Sequence, residues 1–325
     1  MGEGLVKLDL KDKKILLELD MDARQTYSEI AKKVKMSKQG VEYKINNLIK
    51  KKVISKSYPI IHMTKLGYKY CRLVFKFHNL TSEKEKEIIE FIKNHKKIGW
   101  ALKIEGSYDL GMGIWAKTIT EFKDVINEFV YRFGHYIAKR IESIGTKVYH
   151  YQTRYLLNKT ETREITIKED VEPEKIDELD QRILRILCKN ARTPLIEIAQ
   201  QLNTSSKVVS YHIKNLEKRK IIEGYRLILN HSLLGYTYYK VLLDLSNLTK
   251  ENFIAIKNYL KYQPNVLYLI EAIGWKDLDF EMLAESNQEF FSFMKELRLK
   301  FPVLVKDHEI LILTDTIKVS YLPEI

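Results

Sequence analysis

The stretch SKQGVEYKINNLIKKKVI, from Ser37 to Ile54, returns as SSKVVSYHIKNLEKRKII, from Ser205 to Ile222, and no other feature constrains the fold of this chain as strongly. A shift of 168 residues carries Ala23 and Arg24 onto Ala191 and Arg192, Glu29 to Ala31 onto Glu197 to Ala199, and Leu66 to Tyr68 onto Leu234 to Tyr236. The register then holds without a gap, so that Gly106 and Asp109 meet Gly274 and Asp277. A period this long is not that of a solenoid. It describes a tandem duplication of one two-domain unit, with a polar connector at residues 158–175. Extended at ~3.3 Å per residue, that connector reaches roughly 60 Å, which permits the halves to meet in several geometries. The 325 residues agree with several domains, because single cores stop growing near ~250 to 300 residues.

Each half opens with helical periodicity. Leu8, Ile15, Leu16 and Leu19, and in the copy Ile183, Leu184 and Leu187, recur at the spacing of a buried stripe. A short second helix is expected over residues 27–34 and 195–202, with Ala31 and Ala199 small enough for close helix approach. Ser37 and Ser205 then stand where an N-cap hydroxyl is needed, and a third helix begins. Two short helices, a turn and a third helix form the helix-turn-helix pattern, whose third helix enters the major groove. The basic runs KKK and KRK that follow lead into extended segments read as wings.

In the third helix, Val41, Ile45 and Leu48 share one narrow sector, as do Val209, Ile213 and Leu216 in the copy. The candidate DNA-binding residues are Lys38, Gln39, Glu42, Tyr43, Asn46, Asn47 and Lys50 in the first half. Ser206, Lys207, Ser210, Tyr211, Lys214, Asn215 and Lys218 are those of the second. Amide side chains pair bidentately with adenine, Lys donates to guanine, and Lys or Tyr reaches phosphate. Glu42 corresponds to Ser210 and Gly40 to Val208, so the two helices are expected to prefer different half-sites of an asymmetric operator.

The remainder of each half alternates strand and helix signals in the order βαββαβ, with a helix over residues 82–95 opened by the S-x-x-E box of Ser82 and Glu85. That order predicts a ferredoxin-like layer of two helices on an antiparallel sheet. The uncovered sheet face needs a partner, and a second such sheet lies in the same chain. The expected fold class is α+β: winged helix-turn-helix domains at residues 1–62 and 176–230, and ferredoxin-like domains at 63–157 and 231–325.

The LDxKDxxIL opening, the AR and EIA, the Ser-led third helix, the later LG and the G-x-x-D turn resemble the Lrp/AsnC family of transcription regulators over nearly the whole chain, twice. The resemblance implies a sequence-specific regulator of double-stranded DNA whose ferredoxin-like domains dimerise, or assemble further, and take an amino-acid-like effector. It places candidate effector residues at Gly106, Tyr108, Asp109, Gly274, Trp275 and Asp277. Two departures stand out: Lys52 and Lys220 replace the Gly that commonly enters the wing, and the turns differ, GSYD against GWKD.

A net charge of +12 and a pI near 9.3 suit a polyanion partner. An architectural DNA-binding protein of low specificity is the alternative reading. The chain is expected to be cytoplasmic and nucleoid-associated, since it has neither a ~20-residue apolar run nor a signal-peptide core. Cys71 and Cys188, outside any CxxC or CxxH spacing, read as buried thiols, and no metal or cofactor is expected. Siroheme decarboxylases resemble the same fold and rely on His and Arg around a tetrapyrrole. Here no histidine recurs between the halves, and no HExxH, G-x-S-x-G or phosphate-cradling Gly loop occurs. The chain is therefore expected not to be an enzyme.

Overall fold

A computed structural model describes residues 4–323, so the first three and last two residues assigned to the outer domains lie outside the described residues. The first half runs α1 (Leu10–Met21), α2 (Tyr27–Val34), α3 (Lys38–Lys50), β1 (Ile54–Ile61), β2 (Lys69–Phe77), α4 (Ser82–Asn94), β3 (Ile98–Gly106), β4 (Leu110–Ala116), α5 (Ile119–Phe133) and β5 (Ile137–His150). The connector contributes β6 (Ile165–Lys168). The second half runs α6 (Glu178–Lys189), α7 (Leu195–Gln201), α8 (Ser206–Lys218), β7 (Ile222–Leu229), β8 (Thr237–Leu245), α9 (Lys250–Lys261), β9 (Val266–Ile273), β10 (Leu278–Ala284), α10 (Asn287–Lys300) and β11 (Val305–Val319).

The helix starts follow from capping chemistry. Asp9, Thr26 and Asp177 each close a capping box, and Ser37 and Ser205 accept from the N–H of Gly40 and Val208. The cap of α4 is Thr81, which accepts from Lys84 N, one position before the expected Ser82. The stripes read from periodicity are buried at Ile15, Leu16, Leu19, Val41, Ile45 and Leu48, with Ile183, Leu184, Leu187, Val209, Ile213 and Leu216, whereas Leu8 precedes the cap of α1 and is only partly buried.

The two four-stranded sheets join into one closed ring in the order β2-β4-β3-β11-β8-β10-β9-β5, because β5 also pairs with β2. The halves meet along two seams, β3 with β11 and β5 with β9. Helices cover the outer faces: Ile88, Ile92, Phe122 and Phe129 pack on Cys71, Leu73 and Phe75. Ile256, Leu260, Phe290 and Met294 pack likewise on Val241 and Leu243. Both cysteines are free and buried, and burial pushes each thiol up to about 12.

The inner faces pack on each other, and their centre is charged. Arg72 donates to Asp279 at 2.6 Å and to Ser143 Oγ at 3.1 Å, and Lys240 donates to Asp279 at 2.6 Å and Glu281 at 3.0 Å. Arg72 and Lys240 are repeat counterparts, whereas both carboxylates come from the second half, where the first has Gly111 and Gly113. A Cβ on Gly113 would lie 1.9 Å from Trp100 Nε1, so the glycine is what admits that indole.

The strands read as wings pair with each other. β1 and β7 form an antiparallel ribbon in which Tyr58 faces Arg226. The connector is not a loose tether: β6 pairs with β5, and Glu174 bonds Lys65 at 2.9 Å and Arg219 at 2.8 Å. The wide choice of geometries that its length permits is thereby closed off.

Candidate nucleic-acid interface and effector site

Each recognition helix turns its apolar stripe inward and its candidate residues outward. Lys38, Gln39, Glu42, Tyr43, Asn46 and Lys50 are exposed and Asn47 is partly buried. On α8, Lys207, Tyr211, Lys214 and Lys218 are exposed, while Ser206, Ser210 and Asn215 are partly buried. Tyr43 and Tyr211 are 72% and 66% exposed.

What anchors the two helices differs between the halves. Lys44, on α3, donates to Asp9 at 2.6 Å and Asp12 at 2.9 Å, and thereby ties the recognition helix to the start of α1. The hydrogen bond from Lys44 leads the contacts that hold the Asp9 carboxyl below its ordinary value. In the second half the same position is His212, whose Nδ1 lies 2.8 Å from Asp180 and 3.9 Å from Asp177. Asp177, Asp180 and His212 are a metal-capable group by spacing, yet their atoms already serve a capping box and this tie.

Reciprocal contacts join the helix-turn-helix units. Arg24 donates to the Ala191 carbonyl and Arg192 to the Ala23 carbonyl, each being the repeat counterpart of the other. Exchange of helices across the ribbon adds to this, since α1 packs on β7 and α6 on β1. The pair of units is thus related by an approximate twofold axis, the arrangement in which two recognition helices address one duplex.

At the far end of the ring the two G-x-x-D turns come together. Tyr108 is fully buried and its ring meets Trp275 edge-on at 5.3 Å. Gly106 and Gly274 have φ of +126° and +93°, and a Cβ on Gly274 would lie 2.7 Å from the Glu142 carbonyl, so glycine is needed at this close approach. Asp109 accepts from Phe77 N at 2.7 Å and Asp277 from Leu245 N at 2.9 Å, which makes both carboxylates fasteners of the neighbouring strand end. A cleft of about 740 Å³ beside the turns is lined by Tyr108, Trp275, Lys139, Arg140, Lys276 and His308. Among the effector candidates, Tyr108, Gly274 and Trp275 line it, and Gly106, Asp109 and Asp277 do not.

The model for winged helix-turn-helix DNA-binding domains matches residues 8–55 and again 176–223. The HTH-type transcriptional regulator LrpA of Pyrococcus horikoshii is 50% identical over 62 residues, 19% of this chain and 44% of that protein. FL11 of Pyrococcus abyssi, also an HTH-type transcriptional regulator, is 28% identical over 119 residues, 37% of this chain and 78% of that protein. Each half of the chain carries a winged helix-turn-helix DNA-binding domain similar to those of HTH-type transcriptional regulators. The chain spans less than half the length of LrpA in that alignment.

The tandem arrangement itself has a structural parallel. The siroheme decarboxylase NirDL superposes with a TM-score of 0.64 over 95% of this chain and 93% of its own, at 14% identity. At that identity the likeness shows the fold alone, but it corrects one expectation. The chain is expected from its sequence not to be an enzyme, yet an enzyme is built on this whole architecture, so the fold gives no ground for excluding catalysis. Non-recurring histidines carry little weight either, because the chain uses its halves unequally: His150 and His231 are partly buried inside the molecule, with Lys318 and Met63 at their counterpart positions. Reading along the chain missed these interior groups, whose one signal is a strand such as β2 with Tyr70 and Arg72 alternating with an apolar face.

Among the described residues no helix is long and apolar enough to cross a membrane.

Proposed function

We propose that this chain is a sequence-specific DNA-binding transcription regulator that presents two unlike recognition helices from one polypeptide. The observation that carries the reading is the reciprocal Arg24 and Arg192 pairing of two helix-turn-helix units, each with an outward face of amide, phenol and ammonium groups. Regulators among its relatives support the same conclusion. Glu42 against Ser210, and Gln39 against Lys207, make the half-sites different in their base preferences. Tyr108, Gly274 and Trp275, beside the cleft at the paired turns, form the candidate site for an amino-acid-like effector.

The deciding experiment is selection of bound sequences from random duplex DNA at near-physiological salt, then titration of the winner and a scrambled duplex. A two-part, non-palindromic site bound at least about a thousandfold more tightly than the scramble is expected. Tight binding without a motif, with a steep salt slope, would replace this reading by the architectural one. A calorimetric screen of amino acids against the full chain and its Trp275→Ala variant tests the effector site.

A further inference from the structure

A second cavity, of about 290 Å³, lies between the inner sheet faces at the end toward the helix-turn-helix units. Its walls are aromatic: Tyr70, Trp100 and Trp115 from the first sheet, and Tyr58, Tyr268 and Tyr321 from β1, β9 and the carboxyl-terminal segment. Space exists there because of glycines. Gly113 and Gly145 admit Trp100 and Tyr70, whose rings would meet a Cβ at 1.9 Å and 2.5 Å. The second half carries Glu281 and Leu313 at those positions.

The charged groups inside the wall are already engaged. Glu281 accepts from Tyr238 at 2.6 Å and from Lys240 at 3.0 Å, and Glu169 accepts from Tyr70 N at 2.9 Å. Lys147 pairs with Glu271 at 3.4 Å, Lys318 donates to the His95 carbonyl at 2.6 Å, and Lys168 is exposed at the rim. His150 is different. Its Nδ1 is buried and has no hydrogen-bond partner. Burial, and then the nearby Arg226, push its pKa down to about 3, so the imidazole is neutral and offers one donor and one acceptor.

An unpaired buried nitrogen costs ~1 to 3 kcal/mol unless something completes it. The aromatic walls favour a flat ring stacked or met edge-on, and the paired charges disfavour an ion. The volume falls at the lower edge of the ~300 to 1,000 Å³ of drug-sized sites. We propose that this cavity binds a neutral, flat heteroaromatic molecule of one or two fused rings, with a ring nitrogen that completes His150. Tyr58 lies on β1, the strand that leaves recognition helix α3, so the occupant touches the element that joins the two DNA-binding units.

Calorimetry of the full chain, without DNA, uses adenine, indole and benzene as probes, so that its failure leaves the DNA-binding reading untouched. At least one heteroaromatic base is expected to bind about tenfold more tightly than benzene, and His150→Phe to remove that advantage, the magnitude of one net hydrogen bond. Absence of binding by both adenine and indole, equal binding of benzene, or an unchanged advantage in His150→Phe would overturn the proposal and leave a cavity for water or apolar molecules only. Should the variant not fold, NMR of the wild-type chain decides: the bound base is expected to show contacts to the indole N–H of Trp100 and Trp115. Contacts confined to Trp275, at the opposite end beside Tyr108, would overturn it.

Discussion

Tyr58 and Arg226 are repeat counterparts, and they face each other across the β1–β7 ribbon, so the approximate twofold axis of the molecule passes between them. Their environments have nonetheless diverged. Arg226 donates to both oxygens of Asp20, at 2.9 and 2.8 Å in a fully buried setting, whereas Tyr58 stacks on Tyr321 with ring centroids 3.9 Å apart. The counterpart of Asp20 is Cys188. Asp20→Ala strands a buried guanidinium and is expected to cost about 3 to 5 kcal/mol. Asp20→Cys with Arg226→Tyr copies the neutral pair of the other half and is expected to recover most of that loss in urea unfolding, read as a double-mutant cycle.

On the proposed reading, specificity and grip are carried by different residues of the recognition helices. Asn46→Ala is expected to lose ~1 to 3 kcal/mol of discrimination in one half of the selected site and leave the other half unchanged. Lys218→Ala is expected to weaken all duplexes alike and to lower the salt slope by about one. Titrations at several salt concentrations check both.

Lys220 follows α8 with φ of +57°, a left-handed conformation that the commoner Gly adopts without strain. Such a residue costs roughly 1 to 2 kcal/mol. Lys220→Gly is therefore expected to stabilise the chain by about 1 kcal/mol, measured as a rise in the unfolding midpoint.

Burial depresses His150 to about 3 and His231 to about 4. Below their unfolded value near 6.5 the unfolded chain binds protons that the folded chain refuses, so stability falls as pH drops from ~6.5 toward 4 and is fully present above it. The slope is up to ~1.4 kcal/mol per pH unit for each histidine. His150→Phe is expected to flatten the dependence over that window, read from urea midpoints at four pH values.

Gly113→Ala places a methyl group against the Trp100 indole. Overpacking of this kind costs ~1 to 3 kcal/mol. Adding Trp100→Leu is expected to return part of the loss, which thermal unfolding of the three chains will show.

Much of this was legible along the chain because its signals are local. Capping residues such as Asp9 and Ser37, and a stripe such as Val41, Ile45 and Leu48, act within a few residues of themselves, and the outward face of α3 follows once the stripe is known. The interior of the ring was not legible. In KYCRLVFKF the alternation suggests one wet face, yet Arg72 is buried because a second sheet lies on it and Asp279, from the other half, faces its charge. The wing strands show the same effect, since nothing near Tyr58 in sequence says that its ladder neighbour is Arg226.

Repetition, periodicity and cap chemistry by themselves determined two copies of a helix-turn-helix followed by βαββαβ, because each depends on residues a turn or a strand apart. Only the tertiary structure decided that the copies close one ring of sheets, exchange helices across a shared ribbon and give their equivalent positions unequal tasks. Those outcomes depend on pairings far apart in sequence, such as Asp20 with Arg226 and Arg72 with Asp279. There the energy of a buried charge is set by what the fold brings within about 3 Å, and not by the residues beside it in the chain.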